Sequence, residues 1–201
     1  MLLAFDGAPV DGSAYTDVVD LAHRSPAWLD GLVSAWSTYG LALFAVLMVV
    51  GWWRARHVGS REAVIALIAP VTVVVAYAVN DALKLVVRED RPCQSLRVAT
   101  LEACPAPGDW SFPSNHAATA AAAAVALLFV SRLLGALAAS AAVAMAASRV
   151  WVGAHYPHDV VAGLAVGALA ALLLTAAVRA RPDVLVRRLS ATRLRPLLVA
   201  P

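Results

Sequence analysis

Charged side chains are scarce in this sequence, and that scarcity excludes most soluble proteins. Asp, Glu, Lys and Arg make up only 14% of the 201 residues, whereas a soluble globular domain carries roughly a quarter. Apolar residues make up 61% and the formal net charge is only +3, which excludes an intrinsically disordered chain. We also expect no nucleic-acid partner. The sequence has one lysine, two cysteines and no internal repeat of fixed period.

Long apolar runs take the place of the missing charges. Five runs of 17 to 25 residues occupy positions 32–53, 63–87, 114–130, 133–152 and 159–178. A helix that crosses a bilayer needs about 20 residues, with a range of roughly 17–25. The sequence therefore predicts an all-α integral membrane protein in which five transmembrane helices form one membrane-embedded domain over residues 1–201.

The segment before the first run, residues 1–30, predicts a short helix at the membrane interface. Five Asp residues and one Arg accompany an apolar pattern at 15–22, and the positive region of a cleavable signal is missing. Ser25 followed by Pro26 is typical of an N-cap and a first helical position. The first spanning helix is therefore expected to begin near Ala27. A disordered N-terminal tail is the alternative.

The basic residues indicate how the chain crosses the membrane, because cytoplasmic loops carry an excess of Lys and Arg. Ten of the sixteen fall in the first loop, the third loop and the tail 179–201, namely Arg54, Arg56, Arg61, Arg132, Arg179, Arg181, Arg187, Arg188, Arg193 and Arg195. We therefore expect the N-terminus outside and the tail in the cytoplasm. The tail alternates arginine with apolar residues, which fits either a segment on the anionic inner leaflet or a solvated tail.

Polar residues at the ends of membrane spans are costly and mark candidate functional sites. One cluster ends the second run, where Lys84 and Arg91 lie seven residues apart and hence on one helical face. Arg offers a planar fork and Lys a point charge, so the pair fits a phosphate clamp. Two cations snorkelling to the interface are the alternative.

A second cluster opens the third run with the sequence Trp-Ser-Phe-Pro-Ser-Asn-His over 110–116. Ser114 is placed to cap the helix, whose free backbone N–H groups and dipole attract an anion. His116 then lies in the first turn, beside that anion site.

A third cluster joins the fourth and fifth runs. Pro157 marks a helix start, so Asp159 lies in the first turn and can reach back to His155. An Asp that accepts from one imidazole nitrogen leaves the other free to attack. A His–Asp capping pair is the structural alternative. A metal site of His155, His158 and Asp159 is a further alternative, disfavoured because adjacent side chains should diverge on a helix.

Taken in order, the three clusters resemble the signature motifs of the type 2 phosphatidic acid phosphatase superfamily. The matching residues lie between positions 84 and 159, and they are Lys84, Arg91-Pro92, Pro113-Ser114, His116, Ser148-Arg149, His155 and Asp159. The resemblance implies a helical bundle of that superfamily and a lipid phosphatase that needs no metal or other cofactor. Asn115 is a departure, because the superfamily commonly has glycine there.

The resemblance also implies a role for each matching residue. His155 would attack phosphorus and form a phosphohistidine, and Asp159 would orient its imidazole. His116 would protonate the leaving oxygen and then activate water. The phosphoryl oxygens would be held by side chains and backbone N–H groups of Lys84, Arg91, Ser114, Asn115, His116 and Arg149.

Further segments resemble the bacitracin-resistance branch of undecaprenyl pyrophosphate phosphatases, and these are residues 23–30, 39–40 and 148–153. This resemblance implies hydrolysis of undecaprenyl pyrophosphate on the outer face of a bacterial-type cytoplasmic membrane, which recycles the lipid carrier of peptidoglycan synthesis. Phosphatidic acid, phosphatidylglycerophosphate and other polyprenyl phosphates are alternative substrates. A transporter or binding protein for an anionic lipid is the non-enzymatic alternative. The sequence does not indicate an oligomeric state.

The two cysteines, Cys93 and Cys104, belong to no motif. Both lie in the one long loop between apolar runs, which the arginine distribution places outside, where oxidising conditions permit a disulfide. We predict that they are bonded and that the bridge restrains the loop beside Arg91 and Ser114. Two unpaired thiols are the alternative.

Overall fold

The computed structural model describes residues 4–198 as a chain of helices with short connections, apart from one long irregular segment over residues 96–114. In order they are α1 (Ala8–Arg24), α2 (Ala27–Tyr39), α3 (Leu41–Val58), α4 (Ser60–Val87), α5 (Pro92–Ser95), α6 (Asn115–Val130), α7 (Arg132–Trp151), α8 (Pro157–Ala180), α9 (Pro182–Ser190) and a 3₁₀ turn at Arg195–Leu197. Four of them, α3, α4, α7 and α8, are long and apolar enough to cross a membrane. The predicted all-helical membrane bundle is confirmed. The fifth apolar helix, α6, has only 16 residues.

The short helix α6 lies at the centre of the bundle and packs against α4, α7 and α8. Its buried side chains are almost all alanine, which lets neighbouring helices approach closely. Where α8 crosses α6, a Cβ on Gly167 would lie 2.0 Å from the carbonyl oxygen of Ala118. A Cβ on Gly163 would lie 2.5 Å from the carbonyl oxygen of Ser114. These glycines therefore bring the start of α6 against the first half of α8.

The first apolar run is divided differently from the prediction of one span over 32–53. A break at Gly40 separates α2 from α3, and only α3 meets the length and hydropathy of a span. A side chain at Gly40 would lie 2.8 Å from the terminal methyl of Met145, so glycine permits this close approach. The end of α2 also carries Ser37, which is buried among polar partners rather than facing lipid.

The predicted N-cap at Ser25 is wrong, although α2 does begin at Ala27. Pro26 occupies the N-cap position, and Ser25 ends α1, where its hydroxyl donates to the carbonyl oxygen of Leu21 at 2.9 Å. The N-terminal helix α1 is longer than the 15–22 segment that the apolar pattern predicted.

The connections place the signature residues and most arginines at opposite ends of the bundle. The tight turns at Gly59 and Ser131 join α3 to α4 and α6 to α7 at one end, which is also where α8 finishes. The segment 88–114 and the turn 152–156 lie at the other end. The tail helix α9 packs back against α4.

Candidate active site

The three clusters of polar residues meet around one cavity of about 450 Å³ at the 88–114 end of the bundle. Its polar lining consists largely of side chains that could bind an anion or move a proton, namely Asp81, Lys84, Arg91, Glu102, Asp109, Asn115, His116, Arg149 and His155. Ser114 and Asp159 lie outside the lining and are fully buried. The structure thus brings together every site residue that the sequence predicted.

His155 lies in the turn between α7 and α8, and two neighbours orient its imidazole. Its Nδ1 is 3.4 Å from Oδ2 of Asp159 and 3.3 Å from the hydroxyl oxygen of Ser111. The same Oδ2 accepts the backbone N–H of Tyr156 at 2.8 Å and the Ser111 hydroxyl at 2.5 Å. Asp159 is therefore fixed before it acts on His155.

The other nitrogen of His155 lies against Arg91, whose Nη1 is 3.2 Å from Nε2. A guanidinium can only donate, so Nε2 accepts and the ring proton is assigned to Nδ1, beside Asp159. Burial lowers the pKa of His155 to about 3, and the hydrogen bond to Asp159 only partly opposes this effect. The imidazole is therefore neutral near pH 7, with a lone pair on Nε2.

Lys84 and Arg91 both reach the cavity, and both are anchored by carbonyl oxygens. Lys84 Nζ donates to two of them, at Trp110 and Ser111, over 2.7 and 2.9 Å. Arg91 donates to the carbonyl oxygens of Asp109 and Ala154 over 3.0 and 2.9 Å. Each cation is only 7% exposed, so neither snorkels into water. Backbone carbonyl oxygens therefore hold both cations at the cavity.

The start of α6 differs from the prediction in one respect. Ser114 occupies the N-cap position, yet its hydroxyl oxygen is buried and has no hydrogen-bond partner within residues 4–198. Asn115 makes the polar contacts instead, accepting from Asn80 at 2.6 Å and donating to Asp81 at 3.3 Å. His116 lines the cavity one residue further on. The first-turn N–H groups have no intrahelical acceptor, so they remain available to an anion.

Arg149 reaches the cavity from the end of α7 and is paired there with an acidic residue. Its Nη1 is 2.8 Å from Oε1 of Glu102 and also donates to the hydroxyl of Ser37. Ser37 in turn donates to the same Oε1 at 2.8 Å. The Nε atom of Arg149 is buried without a hydrogen-bond partner in the described part of the chain. This cation therefore keeps one donor that no protein group uses.

A second group of titratable side chains lies beside Asp159. His158 Nδ1 is 2.7 Å from Asp11, and its Nε2 is 2.9 Å from Glu89. Over residues 4–198, the group with ligand atoms close enough to share a metal ion, within 4.8 Å, is Glu89, His158 and Asp159. Carboxylates already contact both nitrogens of His158. The group is therefore an ion-pair network that connects α1 and the end of α4 to α8.

The predicted reason for rejecting a metal site is only partly correct. The side chains of His158 and Asp159 do not diverge. His158 Nε2 lies only 3.6 Å from Oδ1 of Asp159. His155, however, lies outside the close group in the described chain. The set His155, His158 and Asp159 is therefore not assembled as a metal site.

Cys93 and Cys104 are bonded in the structure, with Cα atoms 5.9 Å apart, inside the range that a disulfide needs. Both residues line the cavity. The bridge closes the loop that carries Glu102 and leads into Asp109, so it restrains the acidic partners of both arginines.

Four residues at the site were missed by sequence reasoning, and these are Ser37, Glu102, Asp109 and Ser111. Ser111 could have been found, because it lies inside the Trp-Ser-Phe-Pro-Ser-Asn-His segment. The other three belong to no motif, and only the folded chain brings them to the arginines.

This fold and this collection of His, Asp, Lys and Arg define a membrane-embedded phosphatase. The sequence matches the family model of the PAP2 superfamily over residues 65–183. The chain belongs to that superfamily, as its motifs predicted, and it is a phosphatase rather than a lipid transporter.

Several named proteins are similar to the chain. It is 33% identical over 153 residues to the undecaprenyl-diphosphatase BcrC of Bacillus subtilis (strain 168), with 76% of each chain covered. It is also 33% identical over 151 residues to an undecaprenyl-diphosphatase of Sulfolobus acidocaldarius, over 72% of this chain and 68% of that one. A decaprenylphosphoryl-5-phosphoribose phosphatase of Mycobacterium tuberculosis is 37% identical over 103 residues, or 51% and 55% of the two chains.

The fold itself is also found in a solved structure. The crystal structure of a PAP2 type phosphatidylglycerolphosphate phosphatase from Bacillus subtilis superposes with a TM-score of 0.63. The superposition covers 85% of this chain and 87% of that chain at 21% sequence identity. At that identity the likeness shows a shared fold and does not identify a substrate.

Proposed function

We propose that the protein hydrolyses undecaprenyl pyrophosphate to undecaprenyl phosphate and inorganic phosphate through a phosphohistidine. The observation that carries the proposal is the orientation of His155. Its Nε2 has a lone pair and its Nδ1 faces Asp159. Three cations, Lys84, Arg91 and Arg149, share the cavity with it.

In the first step, His155 Nε2 attacks the terminal phosphorus while the bond from phosphorus to the bridging oxygen breaks. Arg91 turns its Nη1 from Nε2 to a phosphoryl oxygen. Charge that spreads over the equatorial oxygens is stabilised by the preorganised cations. Arg149, which lines the cavity, supplies an Nε donor that no protein group uses in the described chain. Asp159 stabilises the positive charge that develops on the His155 ring.

His116 completes proton transfer in both half-reactions. It gives a proton to the bridging oxygen as undecaprenyl phosphate leaves. It then takes a proton from the water that attacks the phosphohistidine, so that the P–N bond breaks and phosphate and neutral His155 are released. General acid–base help of this kind contributes about 10²–10⁴-fold.

The choice of substrate is supported by the relatives rather than by the cavity alone. Two of them are named undecaprenyl-diphosphatase, and each is 33% identical over most of this chain. The motif residues contact the phosphate and not the lipid, so they are compatible with several phosphate esters.

We further propose that the site faces the outside of a bacterial cytoplasmic membrane. The signature residues lie at one end of the bundle, and ten of the sixteen basic residues flank the turns and the tail at the other end. The positive-inside rule assigns the basic end to the cytoplasm. A disulfide at the opposite end agrees with an oxidising exterior.

The test compares phosphate release by purified protein from undecaprenyl pyrophosphate, phosphatidic acid and phosphatidylglycerophosphate in the presence of EDTA. The pyrophosphate should be the preferred substrate, and EDTA should not reduce the rate. His155→Ala should abolish release, while His57→Ala, an exposed histidine at the opposite end, should not change it. Rates within a few-fold for the three lipids would overturn the substrate assignment.

A further inference from the structure

Both arginines proposed to bind phosphate already have a carboxylate partner from one loop. Oε1 of Glu102 lies 2.8 Å from Nη1 of Arg149, and Oδ1 of Asp109 lies 2.8 Å from Nη2 of Arg91. Glu102 is inside the loop closed by the disulfide, and Asp109 follows it. All four side chains line the cavity. Each carboxylate thus occupies one donor of its guanidinium and neutralises charge that would otherwise attract a substrate phosphate.

The position of Glu102 is fixed by its surroundings. Its backbone N–H donates to the carbonyl oxygen of Val152 at 3.1 Å, and its own carbonyl oxygen accepts from the Thr100 hydroxyl at 2.6 Å. Its carboxylate accepts from both Ser37 and Arg149. The Arg149 side chain is 8% exposed and that of Glu102 is 30% exposed. Because water screens this pair less than an ordinary surface ion pair, the Coulomb attraction within it is stronger.

Asp109 is held more loosely. Its side chain is 55% exposed, although its carbonyl oxygen also accepts from Nε of Arg91 at 3.0 Å. Partial burial alone would raise the pKa of Asp109, but the hydrogen bond and charge of Arg91 outweigh it and hold the pKa below its usual range. Asp109 is therefore ionised near neutral pH.

We infer that Glu102, assisted by Asp109, competes internally with phosphate for Arg149 and Arg91 and so determines which phosphates bind. The inference rests on the proposed function, because it assumes that these arginines hold the phosphoryl group. A guanidinium that is desolvated without a partner is costly, and the carboxylates remove that cost before substrate arrives. An incoming anion must share the charge of each guanidinium with its carboxylate or displace that carboxylate, which favours a lipid diphosphate over the less charged inorganic phosphate that the reaction releases.

A purely structural role for Glu102 predicts the opposite change in phosphate affinity when the carboxylate is lost. If the carboxylate only positioned Arg149, its loss would weaken phosphate binding. If it competes, its loss should tighten phosphate binding. Glu102→Gln separates the two, because an amide oxygen can still accept from Arg149 and Ser37 while the negative charge is removed.

The experiment measures inhibition by inorganic phosphate and by orthovanadate of the full-length protein turning over undecaprenyl pyrophosphate. Glu102→Gln should lower both inhibition constants by about threefold to tenfold, the range expected for a partly buried ion pair. Asp109→Asn should give a smaller decrease, because its side chain is more exposed. Asp20→Asn, which breaks the exposed pair with Arg24 in α1, removes the same charge and should leave both constants unchanged.

A second readout does not need turnover. Phosphate that binds the folded protein raises its Tm, and the dependence on phosphate concentration gives a dissociation constant. This constant should fall in Glu102→Gln by the same factor. If wild-type protein hydrolyses none of the lipids, the proposed function fails, and the thermal series still decides the inference. Unchanged or weaker phosphate binding in Glu102→Gln, or no phosphate-dependent stabilisation of any variant, would overturn it.

Discussion

Replacing Ser111 by alanine removes one of the groups that hold Asp159 behind the nucleophile. The Ser111 hydroxyl donates to Oδ2 of Asp159 at 2.5 Å, and both residues are fully buried. A hydrogen bond to a charged group contributes about 1.5–3 kcal/mol, and each 1.36 kcal/mol is tenfold in rate. If Asp159 acts through His155, Ser111→Ala should lower kcat by about 10- to 150-fold.

The loss should fall on kcat rather than KM, because the Ser111 side chain contacts Asp159 and His155 and not the cations of the phosphate site. Steady-state phosphate release from undecaprenyl pyrophosphate measures both constants. Thr175→Val is the matched control, since it removes a fully buried hydroxyl near the end of α8, away from the active site, and should leave kcat within twofold. Ser111→Thr, which keeps the hydroxyl, should recover part of the rate. An unchanged kcat in Ser111→Ala, with normal Tm, would show that the Ser111 hydroxyl does not support Asp159 in catalysis.

Three further predictions concern His116 as the general acid, the disulfide between Cys93 and Cys104, and the orientation of the chain in the membrane. His116→Ala should retain more activity on a lipid diphosphate than on a lipid monophosphate, because the diphosphate has the better leaving group; equal losses in the two assays would contradict its role. Cys93→Ser combined with Cys104→Ser should lower the free energy of unfolding by about 3 kcal/mol, measured as a fall in Tm, because a 12-residue loop is released. Labelling of both thiols in unfolded, non-reduced wild-type protein would contradict the bond. A reporter after Val178 should be cytoplasmic and one within residues 93–109 should be outside, whereas the reverse pattern would remove the proposed outer-face role.

The sequence predicted those parts of the fold and site that depend on local patterns. Four apolar runs correspond to α4, α6, α7 and α8 within a few residues, because hydrophobic length follows directly from the bilayer. The contact between His155 and Asp159 was also predictable. Pro157 marks the start of α8, so Asp159 lies in the first helical turn, within reach of His155 in the loop before it.

Features that depend on long-range contacts were not predictable. Ser37 lies in a run that the sequence predicted to be one continuous apolar span. Its burial is explained by the helix break at Gly40 and by the hydrogen bond that it accepts from Arg149. Glu102 and Asp109 lie in an irregular loop without periodicity, so their pairing with the arginines is set by the folded loop and not by spacing.

Ser114 shows the limit of a local rule. Its N-cap position was predicted correctly, but its hydroxyl does not cap α6. Beside it, the side chain of Asn80 donates a hydrogen bond to that of Asn115. The Ser114 hydroxyl has no protein partner in the described chain. The capping preference identifies the position, whereas the tertiary contacts decide what the side chain does there.

Trapping the covalent intermediate is a direct test of whether His155 is the nucleophile. Undecaprenyl pyrophosphate labelled at the terminal phosphate should be mixed with the His116→Ala variant, in which release of the phosphoryl group is slowed, and the quenched protein should be analysed by peptide mass spectrometry. We expect an acid-labile phosphoryl group on His155 and none in the His155→Ala, His116→Ala double variant. Label on another residue, or rapid turnover by His155→Ala without any labelled protein, would contradict it.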